Sequence, residues 1–171
     1  MRISKIRKMD ISNGPGIRVS LFLQGCPIRC PGCFNSEIWD FDGGQKFDLE
    51  QVSETIGQLS NYDYIAGLSI LGGEPLVEQN IEQLCALVTA YTIAFPDKTV
   101  WIWTGYTWEE LQQKYKNNKS FQLLLFRSDV LVDGPFVEAQ KDPSLAWKGS
   151  RNQRVIDIHK TLKEGKIVLW E

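Results

Sequence analysis

The chain has 171 residues, a length typical of one compact domain, and it is long enough to fold without relying on a metal or on disulfides. Hydrophobic residues make up 43% of it and the formal net charge is −2, with no basic tract of the kind that marks a nucleic-acid groove. The basic start of the chain has no apolar run behind it, and no apolar stretch approaches the roughly 18 residues of a membrane span. The sequence therefore predicts a single cytoplasmic domain, residues 1–171, that binds neither nucleic acid nor membrane.

The first predicted element is a hairpin. Residues 2–8 are mixed polar and apolar, and the turn signal Asn13-Gly14-Pro15-Gly16 follows. Residues 17–23 then alternate between apolar and polar, which is the period of a strand. This second strand runs directly into a loop that holds three cysteines.

Strand and helix signals alternate through the rest of the chain. In chain order, the predicted elements are a helix capped by Asp48 with the apolar face Leu49, Val52, Ile56 and Leu59; a strand Leu68–Leu71 ending at Gly72-Gly73; a helix with the face Ile81, Leu84, Cys85, Val88, Tyr91 and Phe95; a strand Thr99–Trp103; a helix begun by the capping box Thr107–Glu110; a strand Val130–Val132 ending at Asp133; and two further strands, Val155–Ile158 and Ile167–Trp170.

This alternation predicts an α/β fold with parallel strands joined by helices. About four or five strand–helix units are too few for a complete eight-fold barrel of roughly 250 residues, so we expect a partial, open parallel β/α barrel of minimal size. Ligands of such folds gather at the carboxyl ends of the strands. Cys26, Gly72, Thr104 and Asp133 each follow a predicted strand, so we expect them to meet at one mouth.

The strongest chemical signal is the segment 26–33, which contains Cys26, Cys30 and Cys33. Thiolates are soft ligands that suit zinc or iron–sulfur clusters. A four-iron cluster usually takes four cysteines, and no fourth lies nearby, so one iron would stay open to a substrate. The alternative is a structural zinc site, but such sites normally have four ligands, and His159, the one histidine of the chain, is far away in the sequence.

The cysteine segment, with Phe34 directly after it, resembles the C-x3-C-x2-C signature of the radical S-adenosylmethionine superfamily. Further segments look like those of the activating enzymes of glycyl-radical enzymes: Gly14–Arg18, Phe22–Cys26, Cys33–Asn35 and Trp39-Asp40. Within that group, four more are similar to the activating proteins of anaerobic (class III) ribonucleotide reductases: Gly72–Leu76, Trp103–Tyr106, Asp133–Phe136 and Gly149–Arg154. The resemblance covers most of the chain and implies a barrel of the radical-SAM type.

The resemblance also implies an activity. A 4Fe-4S cluster on the three cysteines would bind S-adenosylmethionine at its open iron, and one electron would break the cofactor's sulfonium bond. The resulting 5′-deoxyadenosyl radical would take a hydrogen atom from the Cα of one glycine in a partner protein. The implied partners are the large subunit of anaerobic ribonucleotide reductase, as protein substrate, and an electron donor such as a flavodoxin-like protein.

The residues that the resemblance implies for S-adenosylmethionine binding are Phe34, Gly72, Gly73, Glu74, Thr104 and Asp133. Each also has an ordinary structural interpretation. The glycines and Glu74 fit a strand-to-helix turn, Thr104 and Asp133 can satisfy local turns, and Phe34 can be a core aromatic. Asp133 could also orient a basic group instead of binding a ribose hydroxyl.

Three other features have open roles at this point. Arg18 and Arg29 either partner the substrate carboxylate or lie at the surface, and Gly149–Arg154 is either part of a docking surface or a solvated loop. Cys85 lies among apolar helix positions and fits a small buried hydrophobe, and His159 has no partner that would make it a base.

Two other functions remain open. One is a radical-SAM reaction on another glycyl-radical enzyme or on a small molecule, although a small substrate needs a pocket that buries most of its surface. The other is an iron–sulfur electron carrier or a zinc-structured binding module. Cleavage of S-adenosylmethionine on reduction would distinguish the radical-SAM enzymes from an electron carrier or a zinc-structured module.

Overall fold

The protein is a mixed α/β structure with one seven-stranded sheet and five helices, described for all residues 1–171 by a computed structural model. The strands are β1 (Arg2–Asp10), β2 (Ile17–Leu23), β3 (Gln45–Lys46), β4 (Ile65–Gly72), β5 (Thr99–Trp103), β6 (Val130–Asp133) and β7 (Arg154–Asp157). The helices are α1 (Leu49–Ser60), α2 (Glu78–Ala94), α3 (Trp108–Lys114), α4 (Lys119–Phe126) and α5 (Ile158–Glu164).

The strand order across the sheet is β3-β1-β2-β4-β5-β6-β7. The four central strands β2, β4, β5 and β6 are parallel, and the flanking strands β1, β3 and β7 are antiparallel to their neighbours. The predicted hairpin is confirmed, since β1 pairs with β2 and places Ile6 opposite Leu21 and Arg7 opposite Ser20.

The two faces of the sheet have different surroundings. On one face Val19, Leu21 and Leu23 of β2 belong to a buried core that includes apolar side chains from all five helices. The alternate residues of β2 point to the opposite face, because successive side chains of a strand alternate. There Phe22 lines a cavity. The helices therefore cover one face and leave the other for a site.

Helix starts follow the capping signals of the sequence. The Asp48 carboxylate accepts a hydrogen bond from the Gln51 N–H (3.0 Å) at the start of α1. At α3 both halves of the capping box form: the Thr107 hydroxyl accepts from the Glu110 N–H, and the Glu110 carboxylate accepts from the Thr107 N–H. Both helix caps are therefore confirmed. They could be predicted because each cap joins groups that are only three residues apart in the sequence.

The C-terminal part of the chain differs from the prediction. The strand predicted at 155–158 is antiparallel β7, and Ile158 already belongs to α5, which Asp157 caps by accepting from the Lys160 N–H (2.9 Å). Residues 167–170 form no strand, only a single bridge between Leu169 and Ile156. Helix α4 was not predicted.

The structure contains no helix that combines the length and the hydrophobicity required of a membrane-spanning segment.

Candidate functional site

A cavity of about 540 Å³ lies at the carboxyl ends of β2, β4, β5 and β6, on the face that the helices leave open. The expectation that residues following different strands meet at one mouth is met for Cys26, Gly72 and Thr104, but not for Asp133. The predicted site residues that line the cavity are Cys26, Cys30, Cys33, Phe34, Gly72, Gly73, Glu74 and Thr104.

The cysteine loop is fixed on both sides by main-chain hydrogen bonds. The Cys26 N–H donates to the Trp39 carbonyl (3.0 Å), and the Gly25 N–H donates to the Ile38 carbonyl (2.8 Å). The Gly25 carbonyl in turn accepts from the Glu74 N–H (2.8 Å), which ties the loop to the segment after β4. Gly25 adopts a φ of 92°, which other residues rarely reach.

All three loop cysteines are free thiols; Cys26 is buried, and Cys30 and Cys33 are half-buried. Burial raises the pKa of the Cys26 and Cys30 thiols above the ordinary value. Cysteine binds metals as the thiolate, so loading of this loop releases protons and is favoured by higher pH. Arg29, between them, is exposed and has a left-handed φ of 50°.

Glu74 joins two loops at the floor of the cavity. Its carboxylate is 1% exposed and accepts hydrogen bonds from the Leu76 N–H (2.9 Å), the Thr104 hydroxyl (2.7 Å) and the Gly105 N–H (2.7 Å). The loop after β4 is thereby held against the loop after β5. Since the Thr104 hydroxyl donates a hydrogen bond to the Glu74 carboxylate, both side chains stabilise the cavity wall.

The two glycines before Glu74 are required by close backbone packing. Gly72 has a φ of 111°, and the Gly73 N–H donates to the Leu23 carbonyl (2.9 Å) at the end of β2. A Cβ at position 73 would overlap the carbonyl oxygen of Gly25. Only glycine lets the segment after β4 lie this close to the cysteine loop.

Asp133 does not line the cavity. Its buried carboxylate accepts from the Trp108 N–H (2.7 Å) at the start of α3 and forms an ion pair with Arg154, which also pairs with Glu109. Together these carboxylates raise the pKa of Arg154 above its ordinary value. Asp133 therefore joins β6, β7 and α3, and its predicted contact with a cofactor has no geometric support.

Arg18 lies at neither of its two predicted places. It is 0% exposed beneath the cavity, and its guanidinium donates to the Ser69 hydroxyl (2.7 Å), the Thr99 hydroxyl (2.9 Å) and the Thr99 carbonyl (2.8 Å). Burial lowers its pKa to about 10, so it stays charged at neutral pH. The Ser69 hydroxyl also donates to the Asn13 carbonyl (2.6 Å), which holds the glycine turn before β2 against this buried group.

Residues 145–153 form another part of the cavity wall, and the sequence marked this segment only through Gly149–Arg154. Trp147 and Gln153 line the cavity. The Trp147 carbonyl accepts from the Trp103 indole N–H (2.7 Å), and the Gln153 amide donates to the Gly134 carbonyl (3.0 Å). Trp147 is held at a φ of 65°, a conformation that is rare for a bulky residue.

Two further aromatic side chains, Phe34 and Trp39, line the cavity. Phe34 is 66% exposed at the rim, where it packs on Phe136 with ring centroids 5.5 Å apart. Trp39 lines the cavity, and its buried indole N–H has no acceptor among the protein atoms. Buried donors without a protein partner are rare, and such a donor is satisfied by an ordered water or by a bound group.

A family model described as a 4Fe-4S single cluster domain matches residues 12–156. The anaerobic ribonucleoside-triphosphate reductase-activating protein of Salmonella typhi is 40% identical over 156 residues, covering 91% of this chain and 97% of the relative. The protein of the same name from Escherichia coli K12 is 40% identical over 148 residues, covering 86% and 92%. That of enterobacteria phage T4 is 39% identical over 155 residues, covering 91% and 93%.

The chain belongs to the anaerobic ribonucleoside-triphosphate reductase-activating protein family. The resemblance found in the sequence is thereby confirmed. The matched region of the family model includes all three loop cysteines and every residue of the cavity except Arg7.

The donor set of this family member fits a four-iron cluster. Nowhere do three or more His, Cys, Asp or Glu side chains come together closely enough to hold one metal ion. In a cubane each thiolate binds a different iron, so three cysteines need not converge on one point. Three thiols, a cavity beside them and an unpartnered Trp39 indole N–H suit a cluster together with a second bound group.

The activating-protein fold is expected to gain stability on mild acidification through Glu74. Burial raises its pKa from 4.5 to about 7. Between these two values the folded chain binds more protons than the unfolded chain, so its free energy of unfolding should rise by about 1–2 kcal/mol as the pH falls from about 7.5 to about 5.5. Denaturant unfolding of the reduced, metal-free chain measures this change. Glu74→Gln, which keeps the shape of the side chain but cannot titrate, should lack it; identical pH dependences would contradict the prediction.

Proposed function

We propose that this chain is an oxidoreductase that installs a glycyl radical on the large subunit of anaerobic ribonucleotide reductase. It would use a 4Fe-4S cluster held by Cys26, Cys30 and Cys33, with S-adenosylmethionine as the second cofactor. The observation that carries the proposal is the shared cavity. Three thiols of one loop and the glycine-rich segment after β4 line the same space, in a family named for activation of that reductase.

When bound, the cluster and S-adenosylmethionine supply one-electron chemistry that ends in removal of a hydrogen atom from a glycine Cα of the partner. The protein residues supply ligands, position and exclusion of water. Cys26, Cys30 and Cys33 would hold three of the irons, which would leave the fourth open to the second cofactor. Gly72 and Gly73 bring main-chain groups to the cavity surface, Glu74 and Thr104 hold them there, and the Trp39 indole N–H is free to donate.

The fold would be a single-domain, partial β/α barrel of the radical-SAM type. This description is supported by the four parallel strands, by the helices on one face of the sheet and by the cavity on the other face. Antiparallel β1 and β7 flank the parallel strands, so the barrel would remain open at the side. A large protein substrate needs such an opening.

The proposed protein substrate follows from the name of the family. The target glycine must enter the cavity on a flexible segment of the reductase, and docking elsewhere must offset the cost of ordering that segment. An electron donor such as a flavodoxin-like protein would reduce the cluster. These reactions would take place in the cytoplasm.

The deciding experiment mixes the anaerobically reconstituted chain with the reductase, S-adenosylmethionine and a reductant. A glycine-centred doublet in the EPR spectrum of the reductase, with 5′-deoxyadenosine formed alongside, is the expected result. Cofactor cleavage that depends on a small molecule and gives no doublet would replace the proposal with small-molecule chemistry. A reduced cluster that leaves the cofactor intact would indicate an electron carrier.

A further inference from the structure

Strand β1 has an outer edge that is free over most of its length. Its only partner on that side is the two-residue strand β3, which pairs with Arg2 and Ile3. Since the sheet order ends at β3, no strand lies beside residues 4–10 on this side. A free edge presents unpaired main-chain N–H and C=O groups, which are a template for another extended chain.

This edge borders the cavity. The pairing with β2 places Lys5 opposite Phe22 and Arg7 opposite Ser20, so both basic side chains lie on the cavity face of the sheet. The Lys5 ammonium and the Arg7 guanidinium each lie 4.9 Å from the ring centroid of Phe22. Phe22 and Arg7 themselves line the cavity.

The edge is also positively charged. The segment 2–9 contains four basic residues and no acidic one, in a chain whose net charge is −2. Lys5, Arg7 and Lys8 are exposed. The first carboxylate after them, Asp10, is 3% exposed and accepts from the Ser12 N–H (2.9 Å) and the Asn13 amide (2.7 Å). It lies 3.7 Å from Arg7, which leaves Lys5 and Lys8 without an acidic partner.

We propose that the free edge of β1, residues 4–9, binds an extended acidic segment of the reductase as an added strand beside the cavity. Main-chain hydrogen bonds to the edge give such an interaction its affinity, and the basic side chains select the acidic sequence. The added strand would run past the mouth and guide the glycine-bearing part of the partner into it. This inference rests on the proposed function, which supplies the partner.

The experiment uses a charge reversal and a matched control. The test variant, Lys5→Glu/Lys8→Glu, changes two exposed residues of the edge. The control variant, Lys116→Glu/Lys119→Glu, makes the same change in charge elsewhere. Its two lysines are exposed, do not line the cavity and form no ion pair. Anaerobic calorimetry of the cluster-loaded chain with the reductase should show about tenfold weaker binding for the edge variant and no change for the control. Raising the salt concentration should reduce the difference, because added salt screens exposed charges.

Hydrogen–deuterium exchange gives a readout that charge alone would not move. Main-chain amides within residues 4–9 should become protected when the reductase binds. If the wild-type chain installs the radical but these amides exchange as before and the edge variant binds normally, the docking inference is overturned while the proposed function stands. If protection appears in the chain alone as its concentration rises, the edge pairs with a second copy and the inference also fails. A wild-type chain that neither binds the reductase nor produces a radical would reject the proposed function itself.

Discussion

Replacing any one of Cys26, Cys30 and Cys33 with alanine is expected to abolish stable binding of a four-iron cluster and all activity that depends on it. The three thiols are the only cysteines in the cavity, and loss of one leaves two protein ligands for a cluster that requires at least three here. Iron and sulfide analysis with Mössbauer spectra of anaerobically reconstituted protein would measure the loss.

Cys85→Ala is the matched control for these variants. Cys85 is 7% exposed in the core formed by α2 and the sheet, away from the cavity, as its apolar sequence neighbours predicted. Its replacement should cost about 1 kcal/mol of stability and leave the iron content unchanged. A full iron load in any of the three loop variants, or wild-type protein that takes up stoichiometric zinc and no iron, would contradict the assignment.

Gly73→Ala should disrupt the site more than a single methyl group suggests. The new Cβ would overlap the carbonyl oxygen of Gly25, directly before Cys26, and neither main-chain segment can move freely. Overpacking of this kind costs about 1–3 kcal/mol. We expect affinity for S-adenosylmethionine to fall at least about tenfold, equivalent to about 1.4 kcal/mol, with some loss of iron because the cysteine loop must shift.

Gly57→Ala provides the comparison for this glycine variant. Gly57 lies in α1, and a Cβ there would meet nothing within 4 Å. Alanine should therefore raise the stability by about 0.5–1 kcal/mol through its helix propensity and leave both cofactors bound normally. Anaerobic calorimetry with S-adenosylmethionine and thermal unfolding of both variants test the pair. Equal affinities for the cofactor would remove the segment after β4 from the binding site.

The parts of the fold that the sequence predicted are those fixed by neighbouring residues. The caps of α1 and α3, the glycine turn before β2 and the three-cysteine loop each depend on groups a few residues apart. The C-terminal strands depend on distant partners. Residues 154–157 look like any other strand, and only their pairing with β6 shows that the direction is antiparallel. Helix α4 is capped by Asn118, whose side chain accepts from the Phe121 N–H, but its run of apolar residues does not show a clear helical period.

The site residues, too, could be predicted only where the signal lies in neighbouring residues. The cysteines were identifiable because their spacing is itself the signal, and the glycines after β4 because glycine marks close packing. The sequence could not name the partners of Asp133 and Arg18 because they are far away in the chain: Arg154 for the first, Ser69 and Thr99 for the second. A charged residue beside a strand end has the same appearance whether it binds a ligand or stabilises the fold. Trp39 was quoted only as part of a motif, and its unpartnered indole N–H is visible only in three dimensions.

The wall segment 145–153 has a consequence for the order of events during synthesis. The cysteine loop ends at Cys33, whereas this part of the wall is completed only at Gln153, about 120 residues later. At about 5–20 residues per second, a ribosome needs roughly 6–24 s to make that stretch. A cluster inserted during this interval would enter before residues 145–153 are in place, whereas a cluster inserted into the folded protein would have to pass through the mouth of the cavity.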